Sequence, residues 1–198
     1  MDDDRPLFFH VMAYADGADR DVVDMVSGNP DWDPPDALRA GIRQFADAPV
    51  ADYQYPPSEG LTELREEIAA RRGVDVERVV VTNGAGEANY LAMAQALEAE
   101  AGSEFVVTDP VYPYYPARAR MLDGTVARVP VRENGHVDVP AMRAAISEET
   151  AAVVLNNPNN PTGRYHGEAT IREAYAIAAD HDAYLLCDEV YRLLADDP

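Results

Sequence analysis

Short apolar runs alternate with longer stretches of helical apolar spacing from about residue 78 onward. The runs are rich in Val and Leu, which predicts strands buried on both faces. We predict strands at 79–82, 105–108, 125–131, 151–155 and 183–187, with intervening helices that end near residues 100, 122, 147 and 181. This alternation indicates an α/β fold with a mostly parallel sheet and helices on both faces.

The first third of the chain is less regular. Residues 1–26 have no strong periodicity, and a helix is predicted from Asp33-Pro34-Pro35-Asp36 to about Asp47. The prolines and glycine of 53–60 predict a loop, and 61–72 has the apolar spacing of an amphipathic helix that ends at Gly73.

Polar or glycine-rich clusters follow three of the predicted strands. These are Gly84-Ala85-Gly86, the turn Asn156–Gly163 (NNPNNPTG), and Asp188. Ligands of α/β proteins bind at the carboxyl ends of parallel strands, so all three are candidate site elements. Small residues before a helix suit an anion such as phosphate. Each cluster alone also fits a structural role: a ligand-free glycine turn, a plain Asn/Pro turn, or a helix cap.

The charge is strongly negative. The chain has 36 acidic and 16 basic residues, a net charge of −20, and every basic residue is Arg. An acidic surface without Lys is typical of proteins that stay soluble in concentrated salt, which predicts halophilic adaptation. High-GC codon usage would also favour Arg over Lys. Nucleic-acid binding is disfavoured on either interpretation because it requires a basic patch.

Membrane insertion and metal binding are not predicted. No apolar run approaches the roughly 18 residues of a membrane span, and the acidic start MDDDRPLFF does not match a signal peptide, so we expect a cytoplasmic protein. The four histidines lack ligand spacing with one another or with Cys187, and we assign no metal. Cys187 lies in an apolar run and is expected to be a buried, inert thiol.

Three motifs, and the spacing between two of them, resemble the fold-type I aminotransferases of the class I/II group, which use pyridoxal 5′-phosphate (PLP). Asn160-Pro161-Thr162-Gly163 resembles the family's N-P-T-G turn, and Asp188-Glu189-Val190-Tyr191 resembles its D-E-x-Y. The spacing between these two motifs also matches. The segment from Tyr55 to Leu61, followed by Leu64-Arg65, resembles Y-x-x-x-x-G-L-x-x-L-R. The resemblance covers about residues 24–194.

The resemblance implies a role for each matching residue. Asp188 would pair with the protonated pyridine nitrogen of PLP, and Asn160 and Tyr191 would donate to its phenolic oxygen. Gly84, Ala85 and Gly86 would bind the phosphate, mainly through backbone N–H groups because the hydroxyl side chain of many relatives is absent. The remaining implied contacts are Tyr112 on the ring, with Tyr114 and Tyr115 as rivals, Tyr55 on the phosphate of a neighbouring subunit in a homodimer, and Gly28 near the substrate carboxylate.

The family's Schiff-base Lys has no counterpart in these 198 residues, so no catalytic residue is assigned. The resemblance places that Lys, a phosphate-binding Arg and a carboxylate-binding Arg beyond Pro198. It therefore implies a fragment that is inactive alone, with residues 1–50 as N-terminal arm and part of a small domain and 51–198 as an incomplete large domain. It also places two further strands beside 79–82, which would otherwise lack a neighbour.

The resemblance implies amino-group transfer between an amino acid and a 2-oxo acid. Other fold-type I chemistries remain open, namely a C–S lyase, a decarboxylase or a cyclopropane-forming synthase. A non-catalytic remnant of the fold is a further alternative. Nothing in the sequence selects an acidic, aromatic or aliphatic substrate.

Overall fold

A computed structural model of the chain describes residues 7–25, 28, 32–99 and 102–195. The chain divides into two compact units between Thr62 and Glu63. The domain boundary expected near residue 50 stays a prediction. Among the helices that the described residues form, none is long and apolar enough to cross a bilayer.

The first unit is helical where it is described. Helix α1 (Leu7–Asp16) was not predicted, whereas α2 (Asp36–Ala46) confirms the helix expected over 33–47. A short 3₁₀ turn follows at Val50–Tyr53. The Tyr53 hydroxyl donates to the backbone carbonyls of Phe45 and Ala46 at 2.7 and 2.9 Å. These bonds satisfy two of the carbonyls that the end of a helix leaves without partners.

The second unit contains a four-stranded parallel sheet in the order β2-β1-β3-β4. Its elements in chain order are α3 (Thr62–Arg72), α4 (Gly84–Glu98), β1 (Glu104–Asp109), α5 (Tyr114–Met121), β2 (Thr125–Pro130), α6 (Val139–Ala145), β3 (Thr150–Asn156), α7 (Glu168–Ala179) and β4 (Tyr184–Asp188). The α/β class and the parallel sheet are thereby confirmed, and no boundary of these four strands is shifted by more than one residue.

Helices cover both faces of this sheet, as predicted. Alternate residues of a strand point to opposite faces, so neighbouring side chains enter different cores. Val106 of β1 packs in the core of α6 and α7, whereas Phe105 and Val107 pack in the core of α4 and α5. Strand β3 is buried along its whole length. Burying each such aliphatic side chain contributes about 1.5–3 kcal/mol, which fixes the strands that carry the polar turns.

The predicted strand at 79–82 is wrong. These residues join no sheet within the described ranges, although Val79 has an extended backbone. A strand requires a neighbour for its backbone groups, and apolar composition alone cannot supply one. The resemblance anticipated this lack of a neighbour. Arg65 of α3 partly compensates, because its guanidinium donates to the carbonyls of Val79 and Val76 at 2.8 and 2.9 Å.

Cys187 is exposed and not buried as expected. It lies on β4, which is the last strand at one edge of the sheet. An edge strand encloses its side chains less than an interior strand such as β3, and the apolar run around Cys187 does not reveal that position.

Candidate functional site

Strands β1, β3 and β4 end at the same edge of the sheet, because all are parallel. Their final residues are Asp109, Asn156 and Asp188. Asn156 and Asp188 are direct neighbours in the ladder between β3 and β4. The backbone carbonyl of Asp188 accepts from Asn157 N at 2.8 Å and from Asn156 Nδ2 at 3.1 Å. The Asn/Pro turn and Asp188, which are 25 to 32 residues apart in sequence, therefore form one unit.

Three donors orient the carboxylate of Asp188. Its Oδ2 accepts from the Tyr115 hydroxyl and from Asn89 Nδ2, each at 2.7 Å, and its Oδ1 accepts from Val190 N at 2.9 Å. A carboxylate has about four lone-pair sites, so one site at Oδ1 remains for a further donor. The arrangement suits a cationic ring N–H, since bonds to charged groups are stronger than neutral ones.

Tyr115 is built to remain a hydrogen-bond donor. Burial, its hydrogen bond to Asp188 and the negative charge of that carboxylate all raise the pKa of Tyr115 well above the usual value of 10. The phenol therefore keeps its proton at physiological pH. It belongs to the core shared by α4, α5 and the sheet, which fixes the position of its oxygen.

The Asn/Pro turn brings Asn160 to Tyr191. Asn160 N donates to Asn156 Oδ1 at 2.7 Å, and Asn160 Nδ2 donates to the Tyr191 hydroxyl at 3.3 Å. Both side chains are half-buried. The structure thus assembles the amide, the phenol and Asp188 at one edge of the sheet, in agreement with the spacing of the two sequence motifs.

A buried histidine closes the same turn. Asn157 Nδ2 donates to the carbonyl of His166 at 2.9 Å, and His166 N donates to Asn157 Oδ1 at 2.7 Å. The imidazole is buried, and within the described residues its Nδ1 has no hydrogen-bond partner. Burial first, and then the charges of His136 and Arg164, lower the pKa of His166 to about 4. The ring is therefore neutral at physiological pH.

The glycine turn forms the first turn of α4 and does not precede it. Gly84 has φ +78°, a conformation that glycine adopts without strain, and its N–H donates to Thr82 O. The carboxylate of Glu87 accepts from Asn83 N. No partner is found among the described residues for the N–H groups of Ala85 and Gly86. These two groups can bind an anion at the positive end of the helix dipole.

Helix α4 links this turn to Asp188, because Asn89 lies one and a half turns after Gly84. Tyr112 lies near the same carboxylate, whose charge contributes to raising the pKa of Tyr112; burial and Tyr114 contribute more. Its half-buried ring stacks on Tyr114 at 4.9 Å between centroids and meets Tyr115 edge-on at 6.0 Å. The resemblance left these three tyrosines as rivals for stacking on the cofactor ring, and that role stays a prediction; Tyr115 is the one whose hydroxyl bonds to Asp188.

Two further predicted residues lie outside the second unit. Tyr55 and Gly28 both belong to the first unit. Tyr55 is fully exposed, and a Cβ added at Gly28 would meet no atom within 4 Å. Their roles stay predictions.

Sequence reasoning missed Asn89 as a site residue. The available signal was an amide four residues before the buried Met93, in line with the apolar face of α4. A polar side chain at such a position needs a partner, and Asp188 provides it.

The second unit is thus an α/β unit that brings together a helix start with backbone N–H groups unpaired within the described residues, an aromatic platform formed by Tyr112, Tyr114 and Tyr115, and an oriented carboxylate at the carboxyl edge of its sheet. Residues 20–198 match the model of the family described as aminotransferase class I and II, and the chain belongs to this family. Members of the family use PLP as cofactor.

Individual relatives agree with this assignment. The chain is 36% identical over 183 residues to a protein from Thermus aquaticus named probable aspartate/prephenate aminotransferase, covering 88% of this chain and 46% of the relative. It is 33% identical to the aspartate aminotransferase of Pyrococcus horikoshii, covering 86% and 45%. A solved structure of a Thermus thermophilus aspartate aminotransferase double mutant superposes with a TM-score of 0.78 at 30% identity, covering 93% and 49%. The chain spans about half the length of these relatives.

Proposed function

We propose that this chain forms the cofactor-binding part of a PLP-dependent aminotransferase, which transfers an amino group between an amino acid and a 2-oxo acid. The observation that carries the proposal is the carboxylate of Asp188, which is held by three donors beside the Asn160–Tyr191 pair. An arrangement of this kind is costly for a purely structural residue, because a half-buried carboxylate with an open lone pair lacks full compensation.

The residues present fit PLP. When bound, PLP supplies an electron sink that stabilises negative charge on the substrate carbon next to the amino group. Asp188 would hold the proton on the ring nitrogen through the remaining site at Oδ1. Asn160 and Tyr191 would donate to the phenolic oxygen, and the face of Tyr112 would position the ring. Ala85 and Gly86 would donate backbone N–H groups to the phosphate.

The remaining functional assignments rest on the family resemblance. A homodimer would bring Tyr55 of one subunit to the phosphate of the other, and Gly28 would lie near the substrate carboxylate. The resemblance also requires a Lys for covalent attachment and proton transfer, and no Lys occurs in the 198 residues. We therefore propose transamination only for a form of the protein in which a Lys from outside these 198 residues completes the site. A cytoplasmic location and adaptation to high salt are further parts of the proposal.

Cofactor binding can be tested without the Lys. Pyridoxamine 5′-phosphate carries the same ring and phosphate but needs no covalent bond, and its binding can be followed by fluorescence titration. Asp188→Asn should weaken binding by about 10- to 150-fold, the equivalent of one charge-assisted hydrogen bond of about 1.5–3 kcal/mol. Glu189→Gln removes the neighbouring carboxylate, which pairs with Arg72, and serves as the matched control. Equal affinities of Asp188→Asn and the wild-type chain would refute the proposed site.

The reaction type needs a separate test with the protein that supplies the Lys. L-aspartate and a 2-oxo acid are the first substrates to try, because relatives carry aspartate in their names. Formation of a new amino acid together with oxaloacetate would support transamination. Release of ammonia, sulfide or carbon dioxide without amino-group transfer would instead support a lyase or decarboxylase.

A further inference from the structure

A guanidinium group lies at the glycine turn of α4. A Cβ added at Gly86 would lie 3.1 Å from Nη2 of Arg118. Apart from the neighbouring residues and the backbone of α4 itself, this nitrogen is its closest neighbour. Arg118 is a half-buried residue of α5, and its Cζ is 5.2 Å from the centroid of the Tyr114 ring. The Arg118 side chain therefore approaches the space that a side chain at position 86 would enter.

Arg118 has no acidic partner in the part of the chain that the structure describes. Eight other arginines do have a carboxylate within 4.0 Å or less, in a chain where acidic residues outnumber basic ones by 36 to 16. A half-buried cation beside a helix start, without a counter-ion in a strongly acidic protein, is available to a bound anion.

The charge of Arg118 reaches the rest of the site. Burial raises the pKa of both Tyr112 and Tyr115, and the positive charge of Arg118 acts in the opposite direction on each. Arg118 is thus close to the aromatic platform as well as to the helix start. The carboxylate of Glu87 is the contrary charge at this end of α4, where it accepts from Asn83 N. Within the described residues, an anion bound by backbone N–H groups alone would face that carboxylate without a compensating cation, so Arg118 would act in addition to the phosphate-binding Arg that the resemblance places beyond Pro198.

Resting on the proposed function, we propose that Arg118 is a phosphate-binding residue of this site, which donates to the cofactor phosphate beside the N–H groups of Ala85 and Gly86. Its planar fork matches phosphate oxygens and can form two parallel hydrogen bonds. It takes the place of the hydroxyl side chain that the turn lacks, and Gly86 leaves the room for it. The expectation of mainly backbone contacts to the phosphate is thereby revised.

Two probes isolate the phosphate contribution. Pyridoxamine 5′-phosphate and pyridoxamine differ only in the phosphate, so the ratio of their dissociation constants reports on the groups that bind it. Arg118→Met keeps an unbranched apolar stem over Tyr114 and removes the fork. It should weaken pyridoxamine 5′-phosphate by at least about tenfold, as expected for loss of a charge-assisted hydrogen bond, and leave pyridoxamine unchanged.

The matched control is Arg120→Met, which removes the same charge from an exposed position of the same helix. It should change the ratio little. Arg118→Lys retains the charge without the fork and should give an intermediate ratio; it carries the comparison if far-UV circular dichroism shows that Arg118→Met is misfolded. Equal losses for Arg118→Met and Arg120→Met, or an unchanged ratio in Arg118→Met, would overturn the role of Arg118.

The outcomes also separate this inference from the proposed function. A wild-type chain that binds neither probe would overturn both. A chain that binds pyridoxamine 5′-phosphate in a manner dependent on Asp188 but independent of Arg118 would retain the proposed function and refute the inference alone.

Discussion

Acid should destabilise the Asn/Pro turn through one side chain, the imidazole of His166. Only 2% of this residue is exposed, and both of its bonds to Asn157 use backbone groups, so the ring itself is not compensated by them. In the unfolded chain His166 takes up a proton near pH 6.5, whereas in the folded chain burial lowers its pKa to about 4. Between these values the unfolded state binds more protons, so stability falls as the pH falls.

The magnitude follows from the two pKa values. Their gap of about 2.5 pH units, at 1.36 kcal/mol per unit, gives a loss of up to roughly 3 kcal/mol between pH 6.5 and pH 4. This is a large fraction of the stability of a typical domain, which is about 5–15 kcal/mol. Partial relaxation around the charged ring would reduce this loss of stability, but we expect a loss of at least about 1 kcal/mol.

Urea unfolding, followed by circular dichroism at fixed salt from pH 7 to pH 4, measures this loss. His166→Leu cannot titrate and should show a smaller decrease than the wild-type chain by about 1–3 kcal/mol. His136→Asn removes a neighbouring charge that helps to lower the pKa of His166, and should also reduce the decrease. Identical pH profiles for the wild-type chain and His166→Leu would refute the reasoning.

Three further predictions concern other parts of the molecule. Asn89→Leu removes a donor from Asp188 and should weaken the binding of pyridoxamine 5′-phosphate about tenfold or more. Gln95→Leu, at an exposed position of the same helix, should leave this binding unchanged, and equal affinities of the two variants would contradict the prediction. Gly102→Ala should cost about 3 kcal/mol or more in urea unfolding, because its Cβ would collide with the Glu149 carbonyl and its φ is +132°. Gly167→Ala has open space around its Cβ and should cost far less, and a comparable loss would count against the steric argument. With a net charge of −20, the thermal midpoint should rise from ~0.1 M to ~3 M KCl as repulsion is screened, and a flat or falling midpoint in differential scanning calorimetry would contradict halophilic adaptation.

The sequence was sufficient for features that depend on local pattern and order. Apolar runs separated by helical spacing predicted the four strands that do pair and the helices that cover them. The resemblance to the N-P-T-G and D-E-x-Y motifs implied that Asn160, Asp188 and Tyr191 serve one cofactor. In the structure Asn160 bonds to Tyr191, and Asn156 at the start of the Asn/Pro turn bonds to Asp188.

Features that depend on a distant partner were not predictable in this way. Residues 79–82 have the composition of a strand, but pairing is a property of the neighbour and not of the run. Asn89 and Arg118 lie inside helices without a motif, and their significance appears only when Asp188 and Gly86 are placed beside them. Cys187 illustrates the same limit, because an apolar run does not state whether its strand lies inside or at the edge of a sheet.

The register between β3 and β4 determines the direction in which Asp188 points. Successive residues of a strand face opposite sides, so a slip of one residue would turn the carboxylate toward the α6 and α7 side, away from Asn89 and Tyr115. Single-residue insertions or deletions in β4 should therefore abolish cofactor binding even where the fold survives. Conservative apolar substitutions at Leu185 or Leu186 should instead alter stability and leave the direction of the Asp188 carboxylate unchanged. The chemistry of the site is thus far more tolerant of changed side chains in this strand than of a changed residue count.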